Sequence, residues 1–197
     1  MKEVLATNPS AVKPDPKYIF RPLIETPLNK VKVMILGSEP SATMEVDGLA
    51  YSFPKIVTDT NLLPVALNNI FEEYVHDTEN SFPRSGLLRK WAQKGVLLWN
   101  GTPTVQKSFP SSHVGIGWHL LTNEIIMECY NRDVVFLLWT PARKMYLEHL
   151  LPADAKVIDC SGPGFQDIQN FWGSSPFSKV NAMLKGMKKD PIDWRLP

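Results

Sequence analysis

The chain has 197 residues, 44% hydrophobic and 21% charged, which is enough apolar material for one packed domain and excludes a disordered chain. Its formal net charge is +1, so any surface that binds a polyanion has to be local rather than general. Cys129 and Cys160, without metal-ligand spacing around them, exclude a disulfide framework or a zinc module and read as reduced thiols of an intracellular, non-secreted protein.

Along the chain, the first 16 residues are rich in Pro, Ala, Ser and Lys and have no apolar leader region, so they read as a flexible segment ahead of one domain over 17–197. The run Val31–Leu36 follows, β-branched and almost continuously apolar, and predicts a buried strand. Leu63–His76 and Gly86–Lys94 carry apolar residues at helical spacing. Val96–Trp99 is a second strand, and Gly117–Asn131 a third helix. Val134–Trp139, Pro141–Leu151 and Lys156–Asp159 then read as strand, helix and strand, and a last helix covers about Ser178–Met187. Alternation of this kind predicts a three-layer α/β/α fold with a central, mainly parallel four-stranded sheet. No stretch is long and apolar enough to span a membrane.

In such a fold, ligands sit at the carboxyl ends of the strands. Four strand exits therefore form the functional inventory: Gly37–Ala42, Asn100–Thr104, Thr140–Lys144 and Cys160–Gln166. The first brings a carboxylate, Glu39, together with the hydroxyls of Ser38 and Ser41. The last contains Gly162-Pro163-Gly164, whose glycines permit a close backbone approach to a ligand. A further loop, Phe109-Pro110-Ser111-Ser112-His113, precedes Gly117-Trp118. Any one of these loops alone is ordinary turn chemistry; together on one sheet edge they outline a cleft.

These residues resemble a family. Lys30–Gly37 is similar to the strand leading into the G-Q-D-P-Y-H motif of the first family of uracil-DNA glycosylases, and Gly48-Leu49-Ala50-Tyr51-Ser52-Phe53 resembles G-L-C-F-S-V. Trp91–Asn100 resembles W-A-K-Q-G-V-L-L-L-N, and Ser112-His113 with Gly117-Trp118 resembles S-H-x-x-x-G-W. Val134–Trp139, Phe171-Trp172-Gly173, Phe177–Asn181 and Ile192-Asp193-Trp194 match V-F-L-L-W, F-F-G, F-S-K-x-N and I-D-W in order. The resemblance implies that family's fold and an enzyme that extrudes a pyrimidine from DNA and hydrolyses its N-glycosyl bond. It also implies no cofactor and no metal, DNA (duplex or single-stranded) as substrate, a monomer, a possible replication or repair protein as partner, and no membrane.

The differences fall on the positions that do chemistry in that family. Ser38-Glu39-Pro40-Ser41-Ala42 stands where the family has Gln-Asp-Pro-Tyr-His, and Thr140-Pro141 where it has Gly-Ser. Ser161-Gly162-Pro163-Gly164-Phe165-Gln166 stands where it has His-Pro-Ser-Pro-Leu-Ser. By the resemblance, Glu39 holds the water-positioning carboxylate one methylene further out, and Ser161 replaces the histidine that stabilises the departing base. Tyr51 stacks on the base, Asn100 reads its pairing edge, and Ser38 and Ser41 line the wall facing C5. Ser41 in place of a tyrosine opens that wall to thymine, 5-hydroxymethyluracil or a larger modified pyrimidine. Phe165 replaces an intercalating leucine. Ser112, His113, Thr140, Arg143, Lys144, Gly162, Gly164 and Gln166 complete the expected DNA-contacting set. Read without the family, Tyr51 is a core aromatic, Asn100 a strand-end cap, Arg143 and Lys144 a solvated helix start, and His113 a structural histidine bonding backbone. Three functions follow: a glycosylase of altered specificity, a non-catalytic homologue that binds DNA or recruits a partner, or a decoy for proteins that target such glycosylases.

Overall fold

The structure, a computed structural model, describes residues 11–139, 149–164 and 168–197. Strands are β1 (Val12–Lys13), β2 (Val33–Gly37), β3 (Val96–Asn100), β4 (Val105–Gln106), β5 (Val135–Trp139) and β6 (Val157–Cys160). Helices are α1 (Arg21–Glu25), α2 (Val65–Thr78), α3 (Arg89–Gln93), α4 (Trp118–Tyr130), α5 (Ile168–Phe171) and α6 (Pro176–Gly186). The predicted helix Pro141–Leu151 falls largely outside the described residues, as do Thr140, Arg143, Lys144, Phe165 and Gln166.

The main sheet is parallel, in the order β3-β2-β5-β6. All five residues of β2, of β3 and of β5 are buried, because helices cover both faces and alternation along a strand serves two cores. Val33 and Ile35 face one core with Leu67, Ile70, Phe71 and Tyr74 of α2 and with Trp91, Phe177 and Trp194. Met34 and Leu36 face the other, with Ile125, Ile126 and Cys129 of α4. Each such side chain contributes roughly 1.5–3 kcal/mol by burial. The chain leaves β2 for β3 on one side and later returns to β5 on the other, so the strand order reverses beside β2, where such folds open a crevice.

Helix α2 follows Pro64 and ends at Glu79, whose left-handed φ of 56° stops the helix. Two of its carboxylates, the buried Glu73 and the half-buried Asp77, hold distant segments. Glu73 accepts the backbone N–H groups of Gly173 and Ser175, each at 2.7 Å, and Asp77 accepts those of Phe177 and Ser178 at 2.7 and 3.0 Å. Two carboxylates of α2 thus satisfy the unpaired donors at the start of α6, where negative charge is favoured.

Val12 and Lys13 pair antiparallel with Gln106 and Val105, and Lys107 N–H bonds the Ala11 carbonyl at 2.7 Å. Ordered packing therefore starts before Lys17, within the segment whose composition reads as flexible. A two-residue pairing leaves no periodic signal in a sequence. Cys129 and Cys160 are both buried free thiols. Among the described residues no helix is long and apolar enough to cross a membrane.

Candidate active site

β2 and β3 run side by side in register, so Gly37 and Asn100 are paired at their carboxyl ends. The loop leaving each strand is tied to the other: Gly101 N–H bonds the Gly37 carbonyl at 2.8 Å and Thr102 N–H that of Ser38 at 2.9 Å. The Asn100 side chain lies directly over Gly37, leaving no room there for a Cβ. Gly37 is thus a requirement of close approach. Gly37→Ala is expected to displace the Asn100 amide and to cost about 1–3 kcal/mol by overpacking, measurable by chemical denaturation together with a shift of the Asn100 side-chain NH₂ resonance.

A cavity of about 220 Å³ opens above this strand pair. Glu39, Ser38, Ser41, Tyr51 and Asn100 all line it. Met44, Glu45 and Val46 form a further wall beside Ser41, and Pro64 and Ala66 at the start of α2 close the far side. Sites for drug-sized ligands run about 300–1,000 Å³, so this one suits a single planar ring.

Each lining group is held by an identifiable contact. Both carboxylate oxygens of Glu39 accept the Ser111 backbone N–H, at 3.0 and 3.1 Å. Ser111 has a φ of 59°, a left-handed turn that carries its N–H to the carboxylate. Ser41 Oγ accepts the Met44 N–H at 3.0 Å, so this hydroxyl shapes the wall while its proton stays available to a ligand. Lys13 Nζ donates to the Met44 carbonyl at 2.6 Å, which joins the β1 segment to the same wall. Tyr51 packs edge-on against Trp139, ring centroids 5.2 Å apart, and burial, followed by the charge of Cys160, pushes its hydroxyl well above the ordinary phenol value. The ring is a neutral aromatic surface.

The segment carrying Tyr51 is anchored by a network that sequence spacing does not reveal. Asp47 is buried and accepts from Arg21 Nη1 at 3.0 Å, Leu49 N–H at 3.2 Å and Ser52 Oγ at 3.1 Å. Ser52 Oγ in turn accepts Leu88 N–H at 3.2 Å. Arg21 also meets Glu25 at 3.5 Å, and Glu25 pairs with Arg89 at 2.7 Å. Burial raises the Asp47 pKa, and Arg21 opposes that rise. Gly48 has a φ of +91° and its Cα lies against the Tyr18 carbonyl, where no side chain fits.

Other expected site residues are placed differently. Ser161 is half-buried beyond the end of β6 and does not line the cavity. Its loop is pinned by Asn69 Nδ2, which donates to the Pro163 carbonyl at 2.7 Å. Gly162 is buried; Gly164 is exposed, and a Cβ there would meet nothing within 4 Å, so no close approach demands glycine at that position. His113 does not lie on an exposed phosphate track: it is 3% exposed, with Nδ1 2.8 Å from Thr104 Oγ1, which also accepts the Trp118 indole N–H at 2.7 Å. Burial lowers the His113 pKa, and the charge of Glu39 opposes this. Its ring is bonded to a side chain rather than to backbone. Ser112 Oγ accepts Gln106 N–H at 2.8 Å and closes the loop after β4. No cluster of three or more His, Cys, Asp or Glu suited to a metal ion occurs among the described residues.

Residues 24–191 match the Uracil DNA glycosylase superfamily. The chain belongs to that superfamily. A uracil-DNA glycosylase of Bacillus subtilis is 37% identical over 187 residues, covering 93% of this chain and 81% of the relative. One from Pediococcus pentosaceus is 36% identical over 190 residues, covering 94% and 81%. Among solved structures, mimivirus uracil-DNA glycosylase superposes with a TM-score of 0.80 at 23% identity, covering 94% of this chain and 75% of that one. The four-stranded parallel sheet between helical layers is the fold of that superfamily. The residues missing from the sequence-based list are Arg21, Asp47 and Asn69, which position others, together with the Met44–Val46 wall; in the sequence Ser111 reads only as part of a hydroxyl-rich loop, not as the partner of Glu39.

Proposed function

We propose that the protein is a DNA glycosylase that hydrolyses the N-glycosyl bond of an extruded pyrimidine, uracil or a base substituted at C5, with its reacting groups altered from the superfamily pattern. One observation carries the reading: Glu39, Ser41, Tyr51 and Asn100 line one ring-sized cavity at the strand ends. In this reading Tyr51 stacks on the base, and the Asn100 amide donates to O4 and accepts from N3–H. Glu39, held by the Ser111 N–H, keeps lone pairs for a water and places negative charge near the sugar as the bond to the base breaks. The C1′–N1 bond breaks with its electron pair leaving on the base, water supplies the hydroxyl that ends on C1′, and its other proton ends on the released base, so the step needs no cofactor. The Arg21–Asp47–Ser52 network keeps the Tyr51 segment in place.

The position of Ser161 outside the cavity lining favours a second reading, a homologue that binds a base without cleaving it. Losing a donor to a departing anion typically costs about 10²–10³-fold, so the two readings separate by rate. Duplex and single-stranded oligonucleotides carrying uracil, thymine or 5-hydroxymethyluracil, followed by alkali cleavage at abasic sites, decide between them. Tight binding with no cleavage of any base establishes the second.

Specificity is proposed to lie in the wall formed by Ser41, Met44 and Val46. Ser41→Tyr is expected to weaken binding of C5-substituted bases relative to uracil by roughly 10–200-fold, the range that steric discrimination in an apolar pocket reaches. Equal loss for both bases, measured by fluorescence titration, removes the open-wall argument.

A further inference from the structure

A concentration of positive charge lies at the end of the sheet opposite the cavity. Lys32 directly precedes β2, Lys94 directly precedes the Gly95 that leads into β3, and Arg132 lies just ahead of β5. Lys30 ends the turn before β2, and Lys188 and Lys189 follow α6. These six side chains line one open groove of about 880 Å³, with Asp190 as the single carboxylate among the lining residues. The whole chain carries a net charge of only +1, so the groove departs strongly from the average surface.

One of the six cations is ion-paired, and the charge of Lys94 is felt by Asp193. Arg132 pairs with Glu128 at 2.5 Å. None of the five lysines lies within ion-pair distance of a described carboxylate. Lys189 Nζ donates to the carbonyls of Arg132 and Asp133 at 3.2 and 2.6 Å, and Lys32 Nζ to that of Asp190 at 3.4 Å. Those bonds fix two ammonium groups and leave their charge intact. Gly95, at φ +98°, lets the Lys32 stem lie across the backbone: a Cβ there would come within 3.2 Å of Lys32 Cγ. Lys188 holds a left-handed φ of 57° that glycine would adopt more readily.

We propose that this groove binds the phosphodiester backbone of a second segment of double-stranded DNA, so that the protein bridges two duplexes. The lining contains no aromatic ring on which a single-stranded base could stack. Its apolar members are Val31, which is buried, and Leu28, so it offers charge without the apolar anchor on which a protein partner relies. Lysines spread over an open trench match a repeating row of phosphates. The five residues of β2 span roughly 17 Å at about 3.3 Å each, so a duplex lying across the cavity edge does not reach the groove. The proposal holds whether or not the cavity is catalytic.

The test uses the whole protein and a uracil-containing duplex of about 12 base pairs, little more than one helical turn. Sedimentation at low salt is expected to show two duplexes bound by the wild type and one by the K30E/K94E/K188E variant, with an unchanged melting temperature. The slope of log affinity against log salt is expected to fall by about 3, close to one per phosphate contact removed. The corresponding triple Lys→Arg variant retains both duplexes. One duplex bound by wild type and none by K30E/K94E/K188E overturns the bridge, since the groove is then the one DNA site of the protein. Unchanged stoichiometry and slope in that variant overturn the proposal. So does displacement of the groove-bound duplex by polyglutamate at equal charge concentration, since an acidic polypeptide is then the better ligand.

Discussion

Glu39→Gln is expected to lower the excision rate by about 10²–10³-fold while leaving binding of the base-containing duplex within a few-fold of wild type. The substitution keeps shape and an oxygen that can accept the Ser111 N–H, now 3.0 Å from Oε1, and removes the charge. A charge aimed at a cationic sugar gains strength only as the bond to the base breaks, so its loss appears in kcat rather than in affinity. Single-turnover kinetics with alkali cleavage, beside an equilibrium binding titration, measure the two quantities separately. A parallel fall in both would place Glu39 in ground-state binding. No cleavage by wild type on any base would make the cavity a recognition site.

The second large effect concerns stability. Arg21→Met removes the cation that faces Asp47, whose side chain is only 5% exposed. Stranding one member of a buried pair costs about 3–5 kcal/mol, and the 18% exposure of Arg21 places the expected loss near the lower end. The pH dependence fixes the cause. Burial already raises the Asp47 pKa, and without Arg21 it rises further. A carboxyl whose folded pKa lies above its unfolded value binds more protons when folded, so stability falls as pH climbs from the ordinary aspartate range through the raised value. The gap between variant and wild type is therefore smallest at pH values below the ordinary aspartate range and widest above the raised pKa. Denaturant midpoints across that range measure it, and a gap independent of pH would show that Arg21 contributes through packing alone. Because Asp47 also holds Leu49 N–H and Ser52 Oγ, the loosened segment is the one that carries Tyr51.

The architecture is legible in the sequence where burial on two faces leaves unbroken apolar runs. β2, β3 and β5 each fall within about two residues of the predicted bounds, and Glu39 and Asn100 stand out because each is polar directly after such a run. α1, with five residues, and α5, with four, carry too little periodicity to be read. The pairings that support the site are not legible, even where one member is. Arg21 and Asp47 are 26 positions apart, Asn69 and Pro163 are 94 apart, and Glu39 and Ser111 are 72 apart. Such pairs exist only once the chain has folded, and an isolated Arg, Asp or Asn reads as solvated surface. His113 misleads for the converse reason: a histidine in a hydroxyl-rich loop looks available to phosphate, and the partner that buries it, Thr104, is itself a polar residue of an adjoining loop.

Helix α2 has a mechanical consequence. Its first turn supplies Ala66 to the cavity, Asn69 grips the Pro163 carbonyl, and Glu73 and Asp77 fasten the start of α6. One stiff rod therefore touches the cavity, the loop after β6 and the start of α6. A bulkier guest that presses Ala66 outward pulls on Pro163 through Asn69. In the proposed glycosylase the fit of the guest and the posture of the β6 loop are then geared together, and a change that retunes one is expected to retune the other.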